Sequence, residues 1–496
     1  MKSVLKYSIM ALVAGMLFAS CKKDFLDKKP YTANNLSTAI TNENDMKVAT
    51  AGMYSALRNT DVYARSVLVK GDLMADNTFV TTSNSGRYIS LNNFVFNNAD
   101  AYAGGLWSGA YVAIKYANTI INATGITASA NVSQYQGEAY AIRALMHFEL
   151  VRNFATAYTV DKTKPGIPIV TSFDQNALPA RNTVQEVYTQ VIADLEKAYT
   201  MLNQYRGTAY FSKYAARALE ARVYQNMGDW PNAKTMALDV INNSGWSMLA
   251  AASYVAPSGS LGTSGGSATN TYSPGGYWAN AAVQTSTKNE TLFEVACDLT
   301  SNNGFDQIGF IYLQVGGGYG DILATDDLYN LYSATDARKG LIPRAPAGYR
   351  SGQAGNVTLC YKYPNPGNAA DKDDIKIIRL SDIILIAAEA YYNASDYTNA
   401  NLYLNMVAQK RDPSFTGYTD TGAAVLDDIL TERRKELAFE GSRFWDLVRL
   451  QKSWTKIKNL NPLTSVAVAP GNNALLYPIP VGELNANPNI SQNPGY

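Results

Sequence analysis

The feature that most constrains the fold is a helix hairpin that occurs twice, at residues 214–241 and 380–411. The copies carry matching residues at a constant offset of 167 positions: Ala221 with Ala388, Tyr224 with Tyr391, Asp229 with Asp396, Ala233 with Ala400, and Val240 with Val407. In each copy small residues let two helices touch, a tyrosine fills the gap beside the turn, and an aspartate is placed to cap the second helix. This spacing is typical of a tetratricopeptide-like unit, which stacks helix pairs on one another.

Amphipathic periodicity outside the repeat predicts more helices, so we expect a mainly α fold. The predicted helices span residues 45–58, 107–122, 135–155, 184–202 and 425–450. Long stretches rich in Gly, Ser, Asn and Tyr lie between them, at residues 72–105, 256–280 and 301–321. Because a compact helical scaffold usually carries its binding residues on such loops, we expect the functional site there.

The N-terminus has the layout of a lipoprotein signal. Two lysines precede an apolar run at residues 9–18, and two small residues then lead to Cys21. The run is too short to span a bilayer, and no later stretch approaches the roughly 20 apolar residues that a transmembrane helix needs. We therefore predict that residues 1–20 are removed and that a lipid on Cys21 is the only membrane contact. An ordinary signal peptide with an incidental cysteine is the alternative.

Charge and cysteine content narrow the classes of function. The 42 basic side chains balance 41 acidic ones, which argues against a nucleic-acid partner, and 47% hydrophobic residues are enough to fill a core. Cys297 and Cys360 could pair in an oxidising compartment, but they cannot build a disulfide framework or a Cys-rich zinc site. We expect two free, partly buried thiols.

Several longer segments resemble a known family. They include CKKDFLDKKP from Cys21 onward, LWSGAYVAIKYANTII, GEAYAIRALMHFELVRNF and RLSDIILIAAEAYYN. The most specific is ERRKELAFEGSRFWDLVRL at residues 432–450, which is followed by YPIP at residues 477–480 and by the terminal NPNISQNPGY. Together they extend over nearly the whole chain and resemble the SusD/RagB family of outer-membrane nutrient-binding lipoproteins of Bacteroidota.

This resemblance implies a SusD-like fold, in which tetratricopeptide-like helix pairs pack against an irregular, loop-rich ligand-binding region. It predicts one body after the signal peptide, residues 21–496, with helical pairs at about 43–250 and 377–452, a loop-rich insert at about 251–376 and a tail at 453–496. It also implies a partner, because family members form a lid over a SusC-like TonB-dependent barrel and deliver oligosaccharides to it. Some relatives bind peptides instead. The expected location is the outer face of the outer membrane.

The charged residues of the C-terminal signature invite a catalytic interpretation, since a pair of carboxyl groups is what glycoside hydrolysis requires. They are Glu432, Arg433, Glu436, Arg443 and Asp446. Their helical spacing instead favours ion pairs with neighbouring helices. The single histidine, His147, lies in an apolar helix and is expected to pack there rather than act as a base.

The remaining motifs indicate no enzyme and no cofactor. No Ser-His-Asp set has independent support, and the run Gly316 to Gly318 lacks the lysine of a phosphate-binding loop. Asp371, Asp373 and Asp374 could bind calcium, but the Gly and distal Glu of an EF-hand are missing. A solvated turn is favoured there, and no required metal is predicted.

Aromatic residues in the loops are the best candidates for ligand contacts. The chain has 34 Tyr and 6 Trp, and flat side chains stack on the C–H faces of sugars while polar groups bind the hydroxyls. The predicted platforms are Tyr88, Tyr102, Tyr277, Trp278 and Tyr319, and the predicted polar partners are Asp72, Asn77 and Arg87. Glycan binding is the favoured function. Binding of a peptide or another nutrient is the alternative, and a surface glycoside hydrolase is a distant one.

Overall fold

The computed structural model describes residues 40–174, 176–279, 289–367, 372–460 and 462–496. Cys21 lies outside these residues. The helices of the first half are α1 (Glu43–Leu57), α2 (Ser66–Leu73), α3 (Ile89–Asn93), α4 (Ala101–Ile121), α5 (Ala130–Phe154), α6 (Tyr158–Asp161), α7 (Val184–Met201), α8 (Lys213–Met227) and α9 (Trp230–Asn243). Those of the second half are α10 (Ala251–Tyr254), α11 (Ile308–Tyr312), α12 (Asp326–Tyr329), α13 (Leu380–Asn393), α14 (Tyr397–Arg411), α15 (Ala424–Glu436), α16 (Arg443–Arg449) and α17 (Val481–Ala486).

The long helices stack in one continuous array, which confirms the predicted mainly α fold. Its spatial order is α1, α4, α5, α7, α8, α9, α13, α14 and α15, each packed against the next. The two copies of the predicted hairpin, α8 with α9 and α13 with α14, are neighbours in this array although the loop-rich insert separates them in the sequence. No helix in the described part of the chain is both long and apolar enough to cross a membrane.

The repeated residues have the structural roles that their spacing predicts. Asp229 accepts a hydrogen bond from the backbone N–H of Asn232, and Asp396 accepts one from that of Asn399, so both aspartates cap their second helix. The paired alanines and valines are fully buried where the helices meet. Packing of small apolar side chains thus sets the distance between neighbouring helices.

The strands are short and antiparallel. They are β1 (Thr78–Val80), β2 (Thr291–Val295), β3 (Ile322–Ala324), β4 (Arg344–Ala345), β5 (Val357–Thr358), β6 (Ile375–Arg379), β7 (Trp454–Leu460) and β8 (Leu463–Val468). Four of them form a sheet in the order β1-β3-β5-β4, while β2 pairs with β6 and β7 pairs with β8. The first sheet joins the loop that follows β1 to the loops of the insert.

The predicted single helix at residues 425–450 is wrong, because the chain turns between α15 and α16. Phe439 and Gly441 have φ angles of 65° and 75°, in the left-handed region. Gly441 lies directly against α2: a Cβ placed on Gly71 would come within 2.0 Å of its carbonyl oxygen. Only glycine at both positions allows the two backbones to approach this closely.

The signature charges form ion pairs between elements, as their spacing predicts. One carboxylate oxygen of Glu436 accepts hydrogen bonds from Arg379 at 2.8 Å and from Arg411 at 3.0 Å, and the other accepts one from Arg338 at 3.1 Å. Beside them, Arg433 binds Asp382 and Asp446, each at 2.9 Å. We call these seven residues the buried ion network. They join α13, α14, α15 and α16 to β6 and to the insert.

Among the other buried polar groups, some agree with the sequence-based expectations and some do not. His147 is buried, as expected, and burial lowers its pKa to about 3. Cys297 and Cys360 are both free and buried. The solvated turn expected around Asp373 and Asp374 is wrong, because both side chains are buried and accept backbone hydrogen bonds, from Asn365 and from Cys297 respectively. Asp371 lies outside the described residues, and within them no group of acidic, His or Cys side chains is placed to hold a metal ion.

Candidate functional site

The candidate site lies where the loop after β1 meets the loop before β3. In the β1–β3 pair Val80 is opposite Ile322, so the chain leaving β1 runs beside the chain entering β3. The buried Asp321 fixes the first loop by accepting hydrogen bonds from the N–H and the hydroxyl of Ser85. Arg350 donates to the carbonyl of Ser83 in the same loop. Both loops are therefore held by buried polar contacts.

Tyr88 directs the end of this loop. Its φ angle is 59°, which is unusual for a residue other than glycine. Its buried hydroxyl accepts a hydrogen bond from Arg65 at 2.8 Å, and its N–H donates to the hydroxyl of Tyr102 at 2.9 Å. The Tyr88 and Tyr102 rings are stacked, with centroids 4.5 Å apart. These contacts offset the backbone strain, and the preceding Arg87 remains partly exposed.

Arg87 reaches across to the second loop. Its guanidinium lies 3.9 Å from the centroid of the Tyr319 ring and donates to the Tyr319 hydroxyl at 3.1 Å. It also approaches Asp306 to within 4.0 Å, while the buried Arg65 holds the same carboxylate at 2.7 Å. We call Arg65, Arg87, Tyr102, Asp306 and Tyr319 the arginine–tyrosine cluster. It presents an aromatic ring, a guanidinium and a carboxylate side by side at the surface.

An apolar side chain borders this cluster. Phe305 is 55% exposed, and its ring lies 4.8 Å from that of Phe310. It belongs to a short turn, Gly304–Asp306, which also carries the carboxylate that binds Arg65. Phe305 and the cluster together therefore combine an exposed apolar face with hydrogen-bonding groups, which is the chemistry that a sugar ring requires.

Two of the predicted contact residues, Arg87 and Tyr319, contact each other in this cluster, and Tyr102 is joined to them through Tyr88, which lies behind. Asp72 and Asn77 do not face the surface. Asp72 is 0% exposed and accepts hydrogen bonds from Asn77 at 2.7 Å and from the N–H of Gly441 at 2.8 Å. Burial raises its pKa to about 6. These two side chains hold α2 against the turn before α16.

Tyr277 and Trp278 are buried elsewhere. They form a small apolar cluster with Tyr254, Val255 and Leu341, and each is 1% exposed. Lys376 lies 4.8 Å from the Tyr277 ring centroid and 5.0 Å from that of Trp278. Their rings present no open face to solvent, so burial argues against the predicted ligand contacts at these two positions.

Sequence analysis missed Arg65, Phe305 and Asp306. Phe305 and Asp306 lie in the predicted loop at residues 301–321, so their position was a usable signal, although they carry no distinctive motif. Arg65 precedes a short apolar helix, and only its contacts with Asp306 and Tyr88, far away in sequence, reveal its role.

A stacked array of tetratricopeptide-like helix pairs that carries an aromatic and charged loop surface defines a helical ligand-binding protein. Comparison with known proteins identifies the family within this class. A family model described as the SusD family matches residues 356–496, and a second, described as starch-binding and associating with the outer membrane, matches residues 24–225. The chain belongs to the SusD/RagB family. Members of this family are non-catalytic binding proteins associated with the outer membrane.

Individual relatives agree along almost their whole length. SusD-like protein P2 of Formosa agariphila is 25% identical, over 99% of this chain and 100% of that protein. A solved structure of a putative sugar binding protein from Bacteroides vulgatus superposes with a TM-score of 0.79 at 27% identity, covering 92% of this chain and 100% of that one. A SusD superfamily protein from Bacteroides thetaiotaomicron gives a TM-score of 0.76, also at 27% identity, over 91% of this chain and 100% of the other.

Proposed function

We propose that this protein binds a glycan at the arginine–tyrosine cluster and delivers it to a SusC-like TonB-dependent transporter in the outer membrane. The observation that carries the proposal is the pairing of Arg87 with Tyr319 between two firmly held loops. An aromatic ring stacks on the C–H face of a sugar, and the adjacent guanidinium and carboxylate bind its hydroxyls. Because the loops are already held in place, little ordering entropy opposes binding.

Family likeness supports a sugar as the ligand. The structural relative from Bacteroides vulgatus is described as a putative sugar binding protein, and one matching family model is described as starch-binding. Arg87, Tyr102 and Tyr319 remain our proposed contacts, with Arg65 and Asp306 holding them in position.

Calorimetry with a panel of polysaccharides and peptides tests this function. The wild-type protein should bind at least one glycan, and Arg87→Ala should weaken that binding about tenfold or more, the loss expected from one good contact. Arg344→Ala is a matched control: Arg344 and Arg87 are both 31% exposed, and each lies over a tyrosine and beside a half-exposed aspartate. Peptide binding without binding of any glycan would overturn the proposal.

We further propose that Cys21 carries the lipid that tethers the protein to the cell surface. In the full-length chain, Cys21→Ala should abolish lipid labelling and move the protein from the detergent phase to the aqueous phase. A tagged wild-type protein should copurify with a large barrel protein from solubilised membranes. Normal lipid labelling of the variant would contradict the anchor, and isolation of the protein alone would contradict the partnership.

A further inference from the structure

A broad cleft opens beside the arginine–tyrosine cluster, between α1 and α4. Its volume is about 960 Å³, near the upper end of the range of about 300–1,000 Å³ for ligand sites. One wall is formed by Gly52, Ser55 and Ala56 of α1 with Asn59 just beyond its end, and the other by Ser108, Gly109, Val112 and Tyr116 of α4. Residues 300–303 form the lip. The cleft is large enough for several sugar rings.

The lining of the cleft suits a neutral ligand rich in hydroxyl groups. It consists largely of hydroxyl and amide side chains, including Ser55, Asn59, Thr60, Ser108, Asn302 and Asn303. Arg58 and Asp61 are the charged side chains among the described lining residues, and their charges balance. At the far end the Tyr116 ring is 38% exposed, next to Val112, which is 44% exposed. Polar groups along the walls and one aromatic face at the end match the surface of a sugar chain.

Two segments connect the cleft to the cluster. The lip continues directly into the turn Gly304–Asp306, and the N–H of Asp306 donates to the carbonyl of Asn303 at 3.0 Å. On the other side, Asp61 lines the cleft and accepts a hydrogen bond from Ser66 at 3.0 Å, and the Ser66 hydroxyl also contacts that of Tyr88 at 3.0 Å. The second link is buried, because Ser66 is 3% and Tyr88 0% exposed, so the path for a ligand from Arg87 into the cleft is the turn Gly304–Asp306 and the lip, which are at least partly exposed.

The lip is fixed in place by its own contacts. Asn303 donates from its side-chain amide to the carbonyl of Arg58 at 2.6 Å and to the hydroxyl of Thr60 at 3.0 Å. Gly109 allows the turn at Val62 to pack closely, because a Cβ at that position would come within 2.7 Å of the Val62 side chain. The cleft is thus preformed, which lowers the entropic cost of filling it.

We propose that this cleft is a second subsite, which holds further units of a neutral polysaccharide whose first contact is the arginine–tyrosine cluster. The inference rests on the proposed glycan-binding function and deepens it. It implies that the protein selects its ligand by the number of sugar units and by the absence of charge. Ligands that fill both subsites bind more tightly than ligands that reach only the cluster, because the second set of contacts adds to the first.

Calorimetry with two glycans of the same linkage tests the subsite: a disaccharide and the longest soluble oligosaccharide of the glycan found in the panel. The wild-type protein should bind the long chain about tenfold or more tightly than the short one. Ser108→Trp, which places a bulky ring in the cleft, and Tyr116→Ala, which removes its aromatic face, should lower affinity for the long chain and leave that for the disaccharide unchanged. Arg87→Ala should weaken both.

Leu402→Trp is the matched control, because Leu402 is an exposed apolar residue on α14, outside the cleft. It should leave both affinities unchanged, and circular dichroism should show native helix content in every variant. If the wild-type protein binds glycan but the cleft variants keep full affinity for the long chain, the second subsite is refuted and the proposed function stands. If no glycan binds at all, the proposed function fails and the subsite fails with it.

Discussion

At the scale of single residues, Tyr88 connects stability to the candidate site. Its left-handed backbone costs about 1–3 kcal/mol in general, so the surrounding contacts have to supply more than that. The hydroxyl does so by accepting from the Nε–H of Arg65, whose terminal Nη1 holds Asp306. Tyr88 is buried and offers no surface to a ligand. We therefore assign it a positioning role behind Arg87 and Tyr102.

Replacing Tyr88 with Phe tests this role. The ring still stacks on Tyr102, but the Arg65 Nε–H loses its acceptor, which should lower the free energy of unfolding by about 1–3 kcal/mol. Glycan affinity should fall less than in Arg87→Ala, because the contact groups themselves remain. Chemical denaturation and calorimetry measure the two effects. Tyr397→Phe is the control, since no hydrogen bond involves that hydroxyl within the described residues, and a similar loss in both variants would refute the assignment.

At the scale of elements, the contact between α2 and the turn before α16 is tighter than any side chain permits. The Cβ of an alanine at Gly71 would overlap the backbone of Gly441, which cannot retreat because Asp72 holds its N–H. The same glycine pair therefore fixes the helix that supports Tyr88 and Arg65 against the C-terminal signature. This contact explains why the signature sequence breaks into two helices.

Gly71→Ala should consequently destabilise the protein by more than about 3 kcal/mol, because overpacking against backbone exceeds the ordinary cost of about 1–3 kcal/mol. Gly104→Ala is the matched control within α4, where an added Cβ meets nothing within 4 Å. It should stabilise the protein by about 0.5–1 kcal/mol through helix propensity. Denaturation midpoints of the two variants measure both effects, and equal stability would show that the contact between α2 and the turn is loose.

The elements differ in how far sequence reveals them. The helix array was predictable because its apolar spacing and caps are local signals, and Asp229 and Asp396 mark helix starts within three residues. The turn at Gly441 was missed because its cause is α2, some 370 positions away. Arg87 and Tyr319 were found as polar and aromatic loop residues, whereas Tyr277 and Trp278 have the same local sequence character but lie under long-range packing. Burial in loops depends on the whole fold.

At the scale of the whole molecule, the buried ion network links the insert to the helix array. Glu436 lies at its centre, with three buried guanidinium groups around one carboxylate. Charges removed from water are tolerated only when they are paired, so loss of this carboxylate leaves three arginines without full compensation. The charged residues of the C-terminal signature therefore join the insert to the helix array and do not form a ligand site.

Glu436→Gln should lower the free energy of unfolding by about 3–5 kcal/mol, the usual cost of breaking a buried ion pair. Glu196→Gln removes a carboxylate that is 48% exposed and pairs with Arg217, and it should cost no more than about 1 kcal/mol. Guanidinium denaturation of both variants gives the comparison. Similar small losses would mean that the network contributes nothing beyond surface pairing.

The buried carboxyl groups also predict how stability of the whole molecule depends on pH. Although burial opposes their ionisation, adjacent arginines lower the pKa of Asp336 and of Asp446 to about 2. Their contribution is present above the unfolded pKa of about 4 and is lost as the pH falls towards 2. Burial raises the pKa of Asp72 to about 6 and that of Asp373 to about 7.

The raised pKa values of Asp72 and Asp373 change stability in the opposite direction. Below about pH 4 Asp72 and Asp373 are neutral in both states. Above that pH the unfolded chain has released both protons while the folded protein keeps them up to about pH 6 and 7, so stability falls across this range. Maximum stability is therefore expected near about pH 4. Denaturation midpoints at pH 2, 4 and 8 should show lower values at both ends, and Asp72→Asn should reduce the fall between pH 4 and 8. A midpoint that rises steadily to pH 8 would show that Asp72 and Asp373 are ionised without cost in the folded protein.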